Sequence, residues 1–361
     1  MRPRTSSSFA PARPAASWQR RKPGKYREMI ETKRAAQGVR AQLPVLTVVG
    51  AKPGPVAFIM SNQHGRELHG IPAIARVFAQ LRPEKMTGTA VFLPVMNPVG
   101  TRMRRQDYPL EEPRYRPTNL LRADFNINRH WTDNAQDRNR QTYAATIAET
   151  VWKRYWRYAD VSLDLHGWTG MSLSLAWAER KDLNLLRGYG FPWHQVQDKP
   201  VPPDSGLSEA IAHQAGIPHL ITELSPQNTL DPAMVAAAVR SITNLLKLAG
   251  LLKGRPELPP IQYEFDEAHV ETALRPDAEG ILVSDLRKGD FVRQGQLVAQ
   301  VLSLETLAPV WEFHAPHDAL VFNLGGVIWG EDFQDSAIVY PGQIVGLLKQ
   351  PTHILRNSQR S

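Results

Sequence analysis

The chain has 361 residues, enough to bury a full core as one large domain plus a small one or as two medium domains. It contains no cysteine, which excludes disulfides, thiolate chemistry, iron–sulfur clusters and Cys-based zinc sites; any metal site must use His, Asp and Glu. The net charge of +8 sits almost wholly in residues 1–25, where Arg2, Arg4, Arg13, Arg20, Arg21, Lys22 and Lys25 carry +7 without an acid, leaving +1 for the rest. The near-neutral body lacks the basic footprint of a nucleic-acid-binding domain.

That basic segment is rich in Ser, Pro and Ala and has only Phe9 and Trp18 as large apolar residues, so residues 1–25 are expected to form a disordered tail. Arg20-Arg21 could suggest twin-arginine export and the Arg/Ser composition an organelle transit peptide. The following KPGKYREMIETKR offers no apolar core for an export signal, and a cytoplasmic protein is expected, with organelle import as the lesser alternative. Apolar runs such as Val91–Met96 fall far short of the roughly 18 residues of a membrane span, so no membrane partner is expected.

From residue 44 onward short apolar runs alternate with helical stretches, which points to an α/β domain with a mixed, mostly parallel central sheet flanked by helices. The expected strands are Val45–Val49, Val56–Met60, Ala90–Val95, Val161–Leu165, Leu173–Trp177 and His219–Glu223. The expected helices are 69–82, 139–158, 205–215 and 231–250; in the last, Val235, Val239, Ile242, Leu245, Leu246 and Ala249 recur at helical spacing behind Pro232. Residues 97–138 are crowded with Pro, Arg, Asn and Asp and read as one long loop, a length that in a compact domain usually marks function or disorder. After Gly254 the helices stop, and short strands broken by Gly and Pro suggest a separate C-terminal β-domain over 255–361, with the α/β domain over 26–254. Within it Gly289–Val298 is echoed by Pro341–Gly346, as if two similar hairpins were built alike.

Three segments deliver reactive side chains to the carboxyl ends of strands, where open α/β sheets bind ligands. Ser61-Asn62-Gln63-His64-Gly65-Arg66-Glu67 follows the strand Val56–Met60 and places two donors three residues apart. Val161–Leu165 ends in His166-Gly167 and carries Asp164 on the same face as His166, where it could orient an imidazole. Two His and one Glu with an open position are a donor set suited to catalytic zinc. In Leu220-Ile221-Thr222-Glu223-Leu224 a carboxylate closes an otherwise apolar strand, where it could act as general base toward a water. The plain structural alternatives are a surface ion pair for His64 and Glu67, a hydrogen-bonded core histidine for His166 and a solvent-facing edge carboxylate for Glu223. In the long loop Arg102, Arg104, Arg105 and Asn126-Ile127-Asn128-Arg129-His130-Trp131 could supply carboxylate recognition and oxyanion stabilisation, though most of these arginines are expected to be solvated.

Together these residues resemble the zinc carboxypeptidase superfamily, in particular its succinylglutamate desuccinylase/aspartoacylase-like deacylase branch. His64-Gly65-Arg66-Glu67 is similar to the family's first two metal ligands, His166 to its third and Glu223 to its catalytic base. Asn128-Arg129 resembles the pair that grips the substrate's α-carboxylate, and Asn97-Pro98 with a following arginine resembles the segment bearing the oxyanion-stabilising Arg, here Arg105 or Arg102. The segment Lys288–Val292 with Gly295-Gln296 is similar to the small β-domain of those deacylases. It also resembles biotinyl and lipoyl hairpins, but no lysine sits in the Met-Lys-Met setting of a carrier. Two departures bear on the substrate: Asn126 stands where the family has Asp, and Arg66 with Asn97–Gly100 leans toward true carboxypeptidases.

The resemblance implies a zinc ion held by His64, Glu67 and His166, a water activated by Glu223, and an N-acylated amino acid or short peptide as substrate. The alternatives are a metallocarboxypeptidase or peptidoglycan-type peptidase acting on peptide C-termini, and a non-catalytic binding protein on the same scaffold. A homo-oligomer is allowed by the sequence but not specified by it.

Overall fold

The computed structural model describes residues 17–35, 38–107, 125–132, 142–329, 332–334 and 336–357. Its main body is a ten-stranded mixed sheet. The strands are β1 (Gly24–Glu31), β2 (Gln42–Val49), β3 (Lys52–Ser61), β4 (Thr87–Leu93), β5 (Val161–His166), β6 (Leu175–Glu179), β7 (Trp193–Gln197), β8 (His219–Glu223) and β9 (Ile261–Phe265). They run in the order β1-β2-β4-β3-β5-β8-β6-β7-β9, and the strand His353–Arg356 closes the far edge. The four central strands β4, β3, β5 and β8 pair in parallel, as do β6, β7 and β9; β1, β2, the β8/β6 junction and the closing strand are antiparallel.

Strand alternation divides the helices between two cores. On β5, Val161, Leu163 and Leu165 face a core that contains Ala73, Ile74, Val77 and Phe78 of α1 (Gly70–Gln80). Before the last helix come α2 (Pro98–Arg102), α3 (Tyr143–Arg154), α4 (Leu183–Tyr189) and α5 (Ser208–Gln214). That last helix, α6 (Pro232–Leu248), adds Val235, Ile242, Leu245 and Leu246 to the α1 core and opens on Asp231, whose carboxylate accepts from Ala233 N at 2.8 Å. The opposite face, packed by α3 and by Ile211 and Ala212 of α5, receives Val56, Phe58 and Met60 of β3. Ser162, Asp164 and His166 of β5 alternate with the α1-facing residues and so share this second face.

Each expected helix forms, with shorter ends, and the expected strands form within a few residues of their expected bounds. The long loop is in part structured: Asn97 caps α2 by accepting from Gly100 N at 2.9 Å, and Ile127–Arg129 makes a 3-10 turn. Its residues 108–124 and 133–138 lie outside the described residues. The helix α4 and the strand β7 were not expected, and neither was β1.

The expected tail needs correction. Residues 1–16 lie outside the described residues, but Trp18 is 4% exposed, stacks on Tyr155 at 5.9 Å between ring centroids and donates to Arg154 O at 2.8 Å, while Gly24 and Lys25 already belong to β1. An indole supplies so much buried area that one such side chain anchors the segment despite its polar neighbours.

The end of the helices near residue 254 is not the end of the large sheet, because β9 and His353–Arg356 belong to it. Between them the chain forms two smaller antiparallel sheets around a shared core of Leu274, Val292, Val298, Val301, Val321, Val339, Val345 and Leu348. The sequence echo is real at the level of the turn. Gly295 and Gly342 take φ of +80° and +83°, and Gln296 and Gln343 each accept at Oε1 from the backbone N–H three residues earlier, at 3.1 and 2.8 Å.

One buried ion cluster ties the late strands to the body. Arg187 of α4 donates to both Glu264 oxygens at 2.8 and 2.9 Å, and His194 Nε2 of β7 lies 3.1 Å from the same carboxylate of β9. Burial alone would raise the Glu264 pKa, but the hydrogen bonds from His194 and Arg187 bring it down to about 2. A carboxylate whose pKa is lowered by folding stabilises the protein above its ordinary value of 4.5, and that contribution is lost as pH falls toward 2. Glu264→Gln is therefore expected to lower stability at neutral pH and to flatten its fall between pH 4.5 and 2, as read by denaturant unfolding across pH. Trp18→Ala is expected to cost about 3 kcal/mol in the same assay, the scale of deleting a buried aromatic; an unchanged midpoint would show that Trp18 does not anchor this segment.

Candidate metal centre

The site grows from the ends of three adjacent parallel strands. After β3 the backbone turns at Asn62, whose φ of +62° is a left-handed conformation that asparagine tolerates. Its amide fixes the turn by donating to His64 O at 3.0 Å and Glu67 O at 3.1 Å. Gly65 lies against the α2 segment so closely that a Cβ would sit 2.3 Å from the Gly100 carbonyl carbon and 2.5 Å from Arg105 O. Only glycine allows that approach, which Gly65 N–H secures by donating to Gln106 O at 2.9 Å. Next in the sheet, β5 ends in His166, and β8 ends in Glu223, which is its register partner.

His64, Glu67 and His166 are all buried, and one donor atom from each lies within 4.8 Å of the others. His64 Nδ1 is 2.7 Å from Glu67 Oε1, and His166 Nδ1 is 3.1 Å from Oε2 of the same carboxylate. Both outer nitrogens are also engaged: His64 Nε2 lies 3.0 Å from Asn126 Oδ1, and His166 Nε2 lies 2.8 Å from Asp164 Oδ2. With each ring held at Nε2 by an oxygen acceptor, Nδ1, turned to the Glu67 carboxylate, is the nitrogen that could share a metal with it. Burial disfavours charge on both imidazoles, yet Glu67 outweighs it at His64 and Asp164 with Glu67 outweigh it at His166, so both pKa values are raised, the latter strongly. Glu67 is held down at about 2 by the two rings although burial opposes its charge. A carboxylate between two Nδ1 atoms has the donor chemistry and charge demand of a divalent-cation site, and these three residues could hold one. No other such group of three occurs among the described residues.

Glu223 stands beside this group. Burial pushes its carboxyl up to about 8, aided by the charges of Glu67 and Asp164 and opposed by those of the two histidines, and Oε2 has no hydrogen-bond partner among the described residues. Asn128 is buried, and its Oδ1 accepts from Ser208 N of α5 at 2.9 Å. Arg129 is exposed, with Nη1 donating to Asn128 O at 2.7 Å. The two candidate oxyanion arginines are exposed as well. Arg102 donates to Pro98 O at 3.2 Å, and Arg105 reaches its neighbours through its backbone; no described contact of either is to the His64, Glu67 and His166 group.

Sequence reading missed Gln63. Fully buried, it donates to Asp164 and accepts from Trp131 Nε1 at 2.8 Å, so one amide joins the β5 side of the site to the segment carrying Asn126, Asn128 and Arg129. Nothing in a lone Gln beside a His announces such a bridge; its only signal is a polar side chain at the end of an apolar strand. Asn126 was visible as a departure from the family's Asp, not as the partner of His64.

The family model for the succinylglutamate desuccinylase/aspartoacylase catalytic domain matches residues 53–249, more than half of the chain. The chain belongs to this family. A curated relative, the N-alpha-acetyl-L-2,4-diaminobutyric acid deacetylase of Halomonas elongata, is 26% identical over 293 residues, covering 77% of this chain and 80% of that protein. Among solved structures, a succinylglutamate desuccinylase/aspartoacylase from Rhodobacter sphaeroides superposes with a TM-score of 0.67 at 18% identity, covering 92% of this chain and 97% of that one. The product-bound ectoine utilization protein EutE from Ruegeria pomeroyi gives 0.66 at 18%, covering 91% and 96%. These two likenesses establish the family's mixed α/β fold with its added antiparallel sheets.

Second-sphere partners of metal ligands typically govern affinity by about 10–100-fold. Gln63→Leu, which removes the side-chain contacts to Asp164, His166 and Trp131, is expected to weaken divalent-cation binding at this group by about that factor while His64, Glu67 and His166 remain. Chelator competition measures this directly, and an unchanged cation affinity would show that the Asp164 to Trp131 bridge does not shape the site.

Proposed function

We propose that this protein is a zinc-dependent amidohydrolase that removes the acyl group from an N-acylated amino acid. The observation that carries the reading is the convergence of His64, Glu67 and His166 with an unpaired carboxylate, Glu223, at the register position beside His166. Family membership supports the reaction class, and the deacetylase from Halomonas elongata supports an N-acetylated amino acid as substrate.

His64, Glu67 and His166 would hold the zinc. When bound, the ion supplies positive charge that lowers the pKa of a water and polarises an amide carbonyl. Glu223 takes the proton of the attacking water and returns it to the departing amine, for which its unoccupied Oε2 provides the acceptor. The burial that raises Glu223 to about 8 suits the second half of that task, since such a carboxyl can hold the water's proton at neutral pH until the amine departs with it. Arg129 with Asn128 is proposed to bind the α-carboxylate of the substrate. Asn128 does so indirectly, by fixing the Ile127–Arg129 turn against α5 through Ser208. Arg105 or Arg102 is proposed to stabilise the oxyanion.

The test combines zinc content with turnover of N-acetyl, N-succinyl and N-formyl amino acids and of short peptides. His64→Ala and His166→Ala are expected to lose the metal. Glu223→Gln is expected to keep it and to lose about 100- to 10,000-fold in kcat, the usual worth of general-base assistance. A Glu223→Gln protein with normal turnover removes the base from the mechanism, and release of C-terminal residues from peptides without deacylation replaces the deacylase reading by a carboxypeptidase.

A further inference from the structure

The strand β1 is the terminal strand of the large sheet, eight residues long and paired with β2 without a break from Gly24↔Val49 to Glu31↔Gln42. Just past it, Thr32 N–H donates inward to Ala41 O at 3.0 Å, one step further along the same register. Antiparallel ladders alternate, so Ile30, Glu28, Tyr26 and Gly24 also turn their peptide groups toward β2, while Lys25, Arg27, Met29 and Glu31 turn theirs outward. Pro44, which has no N–H to give, sits opposite Met29 in keeping with this alternation. Among the described residues no other strand or loop backbone bonds to these four.

Open edges are usually blunted by shortness, a proline or a bulge. The closing strand at the opposite edge, His353–Arg356, has four residues. By contrast β1 has eight, with no proline and no bulge. The four residues with outward peptide groups also carry exposed side chains on the α1 side, where the Arg27 guanidinium carbon lies 4.7 Å from the Phe78 ring centroid and Met29 is 61% exposed.

The order of charges along this row, two cations, Met29 and then an anion, fits a second copy of the same strand. Where a two-fold axis continues a sheet, facing residues share one face, so the axis passes through one residue of each copy. Tyr26 or Arg27 as centre sets cations against cations, Glu28 sets two carboxylates together, and Ile30 sets Glu31 against Met29. Met29 as centre brings the two methionines together and sets Arg27 against Glu31 of the second copy on both sides of the axis. Glu31 holds Arg40 at 2.6 Å but stays half exposed. Lys25 comes opposite Lys33 only past the end of the strand, where Lys33 is paired with Glu149 at 3.1 Å.

We propose that β1 pairs antiparallel with β1 of a second copy about a two-fold axis at Met29, joining two ten-stranded sheets into one. About six peptide hydrogen bonds form across the axis, two for each facing pair of outward residues. The axis stands perpendicular to the sheet, so the strands of the second copy run the opposite way. The two groups of His64, Glu67 and His166 therefore lie at opposite ends of the joined sheet, and neither is covered by the pairing.

Sedimentation equilibrium of the full chain is expected to give twice the chain mass at micromolar concentration. Arg27→Glu and Glu31→Arg each set like charges against each other at two places, and each is expected to raise the dimer's dissociation constant about 10-fold or more; the double variant, with both charges exchanged, is expected to restore it. The chain has no cysteine, so Met29→Cys introduces a lone thiol at the axis. Mild oxidation is expected to link two such chains, whereas in Lys25→Cys the two thiols stand about 27 Å apart, eight residues of strand rise, and stay unlinked. A monomer at every concentration overturns the proposal, as does a dimer indifferent to both reversals or not restored by the double exchange. Linkage of Lys25→Cys as readily as Met29→Cys overturns the register. Should a charge variant fail to fold, the wild-type mass and the two cysteine variants decide.

Discussion

The parallel pairing of β3, β5 and β8 is the constraint on which the site depends. Parallel strands end at the same edge of a sheet, so three segments far apart in sequence deliver their first loop residues to one place. Ser61 pairs with Leu165 and His166 with Glu223 in register. A one-residue slip on β5 would turn Asp164 and His166 into the α1 core and bring apolar residues to the site. The alternate residues Val161, Leu163 and Leu165 prevent this, because their burial requires the register that presents the functional face. The hydrophobic core thereby specifies the polar geometry.

Concentrating acids and imidazoles in a buried place is costly, and the structure offsets the cost locally. Glu67 is balanced by two rings, each ring by a second acceptor, and Asp164 by Gln63 and His166. On β5 and β8 two carboxylate oxygens stay without a hydrogen-bond partner among the described residues, Glu223 Oε2 and Asp164 Oδ1. An unpartnered acceptor is where a water or a substrate has something to gain, and the proposed chemistry employs that of Glu223.

Much of this could be read in the sequence where one residue type has one strong preference. Strands of continuous β-branched and aliphatic residues, helices with periodic apolar faces, and a His or Glu at the end of such a strand announce themselves, which is why His64, His166 and Glu223 were found together. What escaped depends on distant partners. The strand β1 is charged at four of its eight positions and forms because β2 offers an edge; Trp18 is buried only because Tyr155 and Arg154 are there to receive it. Gln63 and Asn126 gain meaning from residues 62 to 103 positions away, and no local periodicity encodes that. The loop arginines were legible as chemistry but not as placement, since long exposed side chains take positions that composition does not determine.

The closing edge of the large sheet has a consequence for how the chain acquires its structure. The strand β9 is bordered on one side by β7, already made, and on the other by His353–Arg356, with Thr352 bonding Glu264 across 88 positions. At the roughly 5–20 residues per second of translation, that partner trails by several seconds. During this interval β9 presents an open row of peptide groups to the ribosome's surroundings, the kind of edge on which nascent chains stick to one another. The Arg187 and His194 contacts to Glu264 do not need the late strand, so they can hold β9 in place while its outer side waits. Yield during synthesis, more than the final stability, is thus where damage to this ion cluster would first be felt.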